Sequence, residues 1–332
     1  MEIKAAIIGC GHLGRLHVKN IKELEKEFGY IKLAGVFDID IDKASGLARE
    51  YSTVAYSSVD ELLNNTDAAL IVTPTPTHYD IALKALQNRV HTFIEKPVTD
   101  SLENAKKLLE LSGDLIVQVG HIERFNPALL ALDAYELKPL FIETHRLSQF
   151  NPRGADVSVI HDLMIHDIDI ILNLVKSPVK NISANGVGVL TGNIDIANAR
   201  ISFENGCVAN ITASRISQKQ MRKMRIFQKS AYISVDFLKS SSEVIRINDA
   251  DFDTGSLMAI PVEFDEKKYK ITFEQPRCND TNAMKYEQKL FFDCILNNKQ
   301  PVVTLKNGID ALEVASEIMR EIDDSIVNIG NK

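Results

Sequence analysis

IKAAIIGCGHLG, residues 3–14, joins a short apolar run to three glycines spaced as GxGxxG. A run of this length that stops at glycine suits a strand buried on both faces of a parallel sheet. Residues 12–28 then place Leu13, Leu16, Ile21, Leu24 and Phe28 at roughly helical spacing, with charges between them. The unit is therefore strand, glycine turn, helix. Gly9 permits the tight turn, Gly11 lets a ligand approach the backbone, and Gly14 lets the helix pack against the strand. The helix start offers unpaired N–H groups and a positive dipole end to phosphate.

The same alternation continues outward. Strands are expected at 31–37, 68–73, 91–95 and 115–119, and helices near 41–50, 58–64, 77–88 and 100–111. This predicts an α/β fold: a doubly wound parallel Rossmann sheet with helices on both faces, which binds ligands beyond the carboxyl ends of its strands. A glycine turn following a strand, opening a helix and preceding an acid at the end of the next strand reads as dinucleotide binding through Gly9, Gly11, His12, Leu13 and Gly14. The acid is Asp38, 24 residues after Gly14. Its carboxylate suits the adenosine ribose hydroxyls and repels a 2′-phosphate. Ile39 and Asp40 supply no arginine to welcome that phosphate, so NAD is expected over NADP.

Three further segments carry candidate chemistry. Thr73-Pro74-Thr75-Pro76-Thr77-His78 ends a strand, and its prolines stiffen the loop. Thr73, Pro74 and His78 are expected to line the nicotinamide side of the crevice, with Thr77 capping the next helix. His78 has a second reading, a helix-start histidine without chemical role. Glu95-Lys96-Pro97 ends the following strand and aims Lys96 at the same crevice, where a lysine suits proton transfer or polarisation of a substrate oxygen. In VSVIHDLMIHDIDIILNLV, residues 157–175, Asp162, His166 and Asp169 interrupt an apolar helix. At i, i+4 and i, i+3 spacing they share one face, while His161 and Asp167 project elsewhere. A carboxylate beside a histidine makes a general base near neutral pH. Metal ligation and satisfied core polar groups are the other readings of this cluster. The HExxH spacing is missing, so no metal is expected.

Composition limits the alternatives. The 332 residues are 45% hydrophobic and 25% charged, which implies two domains. A net charge of −7 gives no basic field for nucleic acid or anionic lipid. No signal peptide and no membrane span are expected. Cys10, Cys207, Cys278 and Cys294 form no CxxC and read as reduced thiols of a cytoplasmic protein. The boundary is expected at 121/122. Residues 1–121 form the dinucleotide domain and 122–332 a substrate and oligomerisation domain rich in short β runs, closed by helices near 280–297 and 307–325. Asn126-Pro127 suits a helix start, and Glu204-Asn205-Gly206 a hairpin turn. Long strands suit a subunit interface, so a homodimer or homotetramer is expected.

GCGHLG, Glu95-Lys96-Pro97 and Asp162-x-x-x-His166 together resemble the glucose–fructose oxidoreductase, inositol dehydrogenase and MocA (Gfo/Idh/MocA) family, over essentially the whole chain. The resemblance implies a second α/β domain on a large, mostly antiparallel sheet. It also implies a catalytic set of Lys96, Asp162 and His166. In that set His166 (or Lys96 in some members) takes the hydroxyl proton, Lys96 holds the reacting oxygen, and Asp162 tunes His166. Hydride passes from the carbinol carbon to nicotinamide C4. Many members have two glycines before the DxxxH helix and one inside it. Here Ala155-Asp156-Val157-Ser158 and Met164 stand instead, which bears on pocket shape.

The hinge GHIERFNPA, DLMIHDID and the SRIS segment are similar to the UDP-N-acetylglucosamine 3-dehydrogenase branch, which implies that Arg124 and Asn126 contact substrate. Residues 215–229 hold Arg215, Lys219, Arg222, Lys223, Arg225 and Lys229 without an acid. A nucleotide-sugar diphosphate would explain such a patch, as would a solvated loop or an interface. Dehydrogenation of a free sugar or inositol is the alternative activity, and nucleotide sensing without catalysis the alternative class.

Overall fold

The computed structural model describes residues 2–152, 154, 157–255, 257–278 and 281–330. It divides into two units, one of Met1–Phe125 with Asn282–Leu312 and one of Asn126–Thr281 with Glu313–Lys332.

In the first unit the strands β1 (Ile3–Ile8), β2 (Ile31–Phe37), β3 (Ala68–Ile71), β4 (His91–Glu95) and β5 (Val117–Gly120) form a five-stranded sheet in the order β2-β1-β3-β4-β5. Every pairing is parallel. The connecting helices are α1 (His12–Glu27), α2 (Ile41–Tyr51), α3 (Val59–Leu63), α4 (His78–Gln87) and α5 (Leu102–Ser112). Strand side chains alternate between two cores. Ile3, Ala5 and Ile7 meet Val18, Ile21 and Leu24 of α1, while Ala6, Ile8 and Ala69 meet Leu62, Leu63 and Ala85. Each fully buried aliphatic side chain contributes about 1.5–3 kcal/mol relative to exposure. The order reverses between β1 and β3, and that switch point opens a crevice at the strands' carboxyl ends.

The second unit contains a nine-stranded sheet of β6 (Phe141–Leu147), β7 (Val179–Val187), β8 (Ile196–Phe203), β9 (Val208–Ser214), β10 (Met221–Gln228), β11 (Ala231–Asp236), β12 (Ser241–Asp249), β13 (Met258–Phe264) and β14 (Lys267–Glu274). The order is β13-β14-β12-β11-β10-β6-β9-β8-β7. Only β6 and β9 pair in parallel, so the sheet is mostly antiparallel, as the family resemblance implied. The turn at 204–206 joins β8 to β9, with Gly206 at φ 85°. The short helix α6 (Pro127–Leu130) starts where the Asn126 side chain accepts from Ala128 N–H. The helix α7 (Ile165–Val175) packs on β6 and β9. The sequence predicts short strands at 138–147, 179–190, 195–203, 207–216, 230–237, 243–247 and 269–273, and two observed strands lie outside them. β13 is one; β10 is the other, and it lies inside the basic segment, where charges occupy part of the alternation.

The chain then forms α8 (Ala283–Asn297) and α9 (Leu305–Gly330). The expected boundary at 121/122 moves to 125/126, and the second domain does not run unbroken to the end. Phe291, Phe292, Cys294 and Ile295 of α8 enter the β1–α1 core. Val303, Leu305, Ile309 and Leu312 join Ile94, Val119 and Leu108. These apolar faces need a partner, and the parallel sheet provides it. Among the described residues, no helix is long and apolar enough to cross a membrane.

Candidate active site

The glycine turn is built as its spacing requires. Gly9 adopts φ 106°, and a Cβ there would lie 2.5 Å from Val72 O. A Cβ on Gly14 would overlap the carbonyl oxygen of Gly9. A Cβ on Gly11 would meet nothing within 4 Å. The first and third glycines are therefore demanded by the protein itself, while the second borders open space against the turn. The 16-residue helix α1 begins after Gly11 with no side-chain cap and no acid in its first turn. His12 and Leu13 are exposed there. An uncompensated positive helix end beside a bare glycine fits a pyrophosphate.

Asp38 ends β2 beside this turn. Its Oδ2 accepts from Cys10 N–H at 2.7 Å and its Oδ1 from Asp40 N–H at 2.9 Å. A carboxylate offers about four acceptor positions, so two backbone donors leave room for ribose hydroxyls. Ile39 is 97% exposed and Asp40 caps α2, so neither follows Asp38 with a cation. The Cys10 thiol is pushed up to about 12 by burial and by the Asp38 charge, so it stays protonated.

Beyond β3, Val72 and Thr73 close against the turn. A Cβ on Gly9 would also lie 3.0 Å from Thr73 N. His78 is 1% exposed, and its ring nitrogens face Pro97 O at 2.9 Å and Thr73 O at 2.8 Å. The histidine thus binds two loops together instead of facing the crevice, which replaces the expected cofactor contact. Thr77 does not cap α4. Its hydroxyl turns back to Thr73 Oγ1 and Pro74 O. The Lys96–Pro97 bond is cis. Glu95 contacts His17, which the sequence reading passed over inside α1. His17 Nε2 lies 2.9 Å from Glu95 Oε1, and Lys96 N–H reaches Glu95 Oε2 at 3.3 Å.

In the second unit the DxxxH segment begins as a π turn, Ile160–Met164, before α7. The i→i+5 pattern adds a residue to the turn, a form frequent at functional sites. Asp162 and His166 are half-buried, whereas Asp169 is buried at 1% exposure. The π turn displaces Asp162 from its α-helical relation to His166, while His166 and Asp169 keep i, i+3 spacing within α7. Asp162 N–H donates to Ser158 O at 3.0 Å. A Cβ on Gly154 would lie 3.5 Å from Asp162 Oδ2, so glycine lines this carboxylate. Met164 is fully buried. Ala155 and Asp156 lie outside the described residues. Asp167 is not idle: Arg146 of β6 grips it through Nε–Oδ2 at 3.0 Å and Nη2–Oδ1 at 2.9 Å, both side chains buried.

Asn126 Oδ1 caps α6 and Nδ2 donates to Phe237 O at 3.1 Å, so the amide has a structural task at the hinge. Arg124 is 6% exposed. Several of the basic residues are engaged separately. Arg215 is buried and donates to Gly154 O and Val157 O. Lys223 pairs with Asp236 and Arg225 with Glu143 on one side of β10, while Arg222 projects from the other.

Together the first unit defines a class: an NAD-binding Rossmann oxidoreductase. Residues 3–121 match the description "Oxidoreductase family, NAD-binding Rossmann fold", and residues 140–234 match "GFO/IDH/MocA C-terminal domain". The chain belongs to the GFO/IDH/MocA oxidoreductase family. It is 40% identical over 247 residues to UDP-N-acetylglucosamine 3-dehydrogenase of Acidithiobacillus ferrooxidans, covering 74% of this chain and 77% of that protein. It is 29% identical over 336 residues to scyllo-inositol 2-dehydrogenase (NAD(+)) of Bacillus subtilis, covering 94% and 92%. A solved structure of the Acidithiobacillus enzyme superposes with TM-score 0.86 at 33% identity, covering 98% and 99%. Scyllo-inositol dehydrogenase of Lactobacillus casei, solved with NAD(H) and scyllo-inositol, shares the fold at TM-score 0.76 and 18% identity, covering 98% of each chain.

Proposed function

We propose that this chain is an NAD-dependent dehydrogenase that oxidises the 3-hydroxyl of a UDP-N-acetyl-hexosamine to a ketone. The observation that carries this reading is the 40% identity to UDP-N-acetylglucosamine 3-dehydrogenase over most of both chains. The turn at Gly9, Gly11 and Gly14, with His12, Leu13 and Asp38, holds the dinucleotide, and Thr73, Pro74 and Glu95 flank its nicotinamide half. NAD, when bound, accepts the hydride from the carbinol carbon. His166 takes the hydroxyl proton, Asp162 steadies the charged imidazole, and Lys96 holds the reacting oxygen. Arg124 is assigned to the substrate side.

A second reading, oxidation of a free inositol or sugar, is favoured by the similarity to the Bacillus enzyme along 94% of the chain. It gains from the basic segment, where Arg215, Lys223 and Arg225 are engaged within the protein and so argue less for a diphosphate. NADH formation from NAD with a panel of UDP-N-acetylglucosamine, its uronate, free sugars and inositols separates the two, with a carbonyl trap to draw an uphill oxidation forward. Turnover confined to inositols would replace the nucleotide-sugar reading. No turnover with intact NAD binding would favour a sensor.

The reading includes a cytoplasmic location, supported by four cysteines that remain free thiols. It also includes a homodimer or homotetramer. Phe141, Phe227, Tyr232, Ile245 and Phe273 stand in register across five strands, on the sheet face opposite α7. The rings of Phe141–Phe227 and Phe227–Tyr232 lie 5.8 and 5.2 Å apart. Such a self-complementary apolar row suits a twofold contact. Sedimentation of the wild type and Phe227→Lys tests it, and a monomeric wild type rejects it.

A further inference from the structure

His17, Glu95 and Gln288 form a buried chain at the nicotinamide end of the first unit. His17 lies on α1 and is 0% exposed. Gln288 on α8 is equally buried, and its amide nitrogen faces His17 Nδ1 at 2.6 Å. His17 Nε2 lies 2.9 Å from Glu95 Oε1, so the ring links the Gln288 amide to the carboxylate. The same carboxylate accepts from Lys96 N–H through Oε2. A Cβ on Gly120 would meet this carboxylate at 3.0 Å. His17 is further held edge-on against Phe93, ring centroids 5.7 Å apart. A histidine so fixed sets where the carboxylate points.

The location gives this arrangement a consequence. With pyrophosphate at the Gly9–Gly14 turn and adenosine ribose at Asp38 on β2, the nicotinamide half falls on the other side of β1, over the ends of β3, β4 and β5. Glu95 and Gly120 are the last residues of β4 and β5. An ionised carboxylate there favours the cationic ring of NAD over the neutral ring of NADH. We infer that His17 and Gln288 are positioning residues that hold the Glu95 carboxylate aimed at the nicotinamide, so that the site prefers oxidised to reduced cofactor. Without His17 the carboxylate loses a hydrogen-bond partner. It is then free to turn away, which removes its charge from the ring. This rests on the proposed placing of Glu95 beside the nicotinamide.

The test is the dissociation constants of NAD and NADH, measured by calorimetry without substrate. The proteins are wild type, Glu95→Gln, His17→Phe and the double variant, each checked by thermal melting. Glu95→Gln is expected to weaken NAD at least about tenfold relative to NADH. His17→Phe is expected to move the ratio the same way, and the double variant no further than Glu95→Gln alone. Equal weakening of NAD and NADH by His17→Phe, or full additivity in the double variant, overturns the inference and leaves His17 a packing residue. If Glu95→Gln itself leaves the ratio unchanged, the placing of Glu95 fails and the inference falls with it. Should His17→Phe not fold, Gln288→Leu replaces it: a shift of the ratio toward NADH supports the relay, and an unchanged ratio overturns it.

Discussion

The Cys10 N–H donates to Asp38 Oδ2 at 2.7 Å, tying the phosphate turn to the ribose acid. Asp38 therefore has two tasks. In the proposed reading it presents acceptors to the ribose, and it fixes the backbone one residue before Gly11, where the turn opens. Cofactor choice and turn geometry are coupled through one carboxylate.

Asp38→Ala is accordingly expected to weaken NAD by ~10–100-fold, the range for lost hydrogen bonds to a charged group. NADP should weaken far less, because the variant no longer repels a 2′-phosphate. Titration of both cofactors checks this. An unchanged NAD/NADP ratio would show that Asp38 serves only the turn.

The first unit was legible because its signals are local: apolar runs ending at glycine or acid, and helices of 3.6 period between them. Gly9, Gly11, Gly14 and Asp38 follow from that pattern and stand where it placed them. β10 escaped because Arg222, Lys223 and Arg225 break the apolar alternation, although Met224 and Ile226 are fully buried. The π turn was unreadable for a different reason. One extra residue per turn leaves no mark in composition, so α-helical spacing placed Asp162 on the face of His166 and Asp169. The role of His17 depends on Gln288, 271 residues away, and no local pattern carries that contact. Asn126 has a visible cap signal before Pro127, and the structure shows that cap.

Lys96→Met and His166→Ala should each slow turnover by about 10²–10⁴-fold, the usual loss for a general acid–base group, while NAD still binds. Rapid-quench or steady-state rates, paired with NAD titration, make the comparison. Near-normal rates in both variants would remove these residues from the chemistry.

Arg146 and Asp167 form a forked ion pair with both side chains nearly inaccessible. Removing one partner leaves a buried uncompensated charge, at a cost of about 3–5 kcal/mol. Arg146→Met should therefore lower the urea midpoint sharply. The double variant Arg146→Met/Asp167→Leu should recover much of that loss, since matched apolar replacement of a buried pair is often neutral. A single variant as stable as the double would mean that Asp167 finds adequate partners without Arg146.

Asp195 supplies a stability term with a defined pH direction. Burial by itself would raise its pKa. The N–H groups of Thr191, Leu190 and Val189, with the Thr191 hydroxyl, outweigh burial and hold the carboxyl well below the usual range. A depressed native pKa means that the unfolded chain binds the proton more readily. The contribution is therefore complete above the unfolded value of about 3.9 and declines as pH falls through that value toward the native one. Asp195→Asn should lower stability at neutral pH and narrow its gap to wild type as the pH drops below about 4. Because Arg215 Nε lies 4.0 Å from Asp195 Oδ1 and its Nη atoms hold Gly154 O and Val157 O, the same variant should also loosen the approach to Asp162. Urea unfolding at several pH values tests the first effect, and amide exchange at Val157 the second. A gap that stays constant down to acid pH would mean that Asp195 contributes through packing and not through its charge.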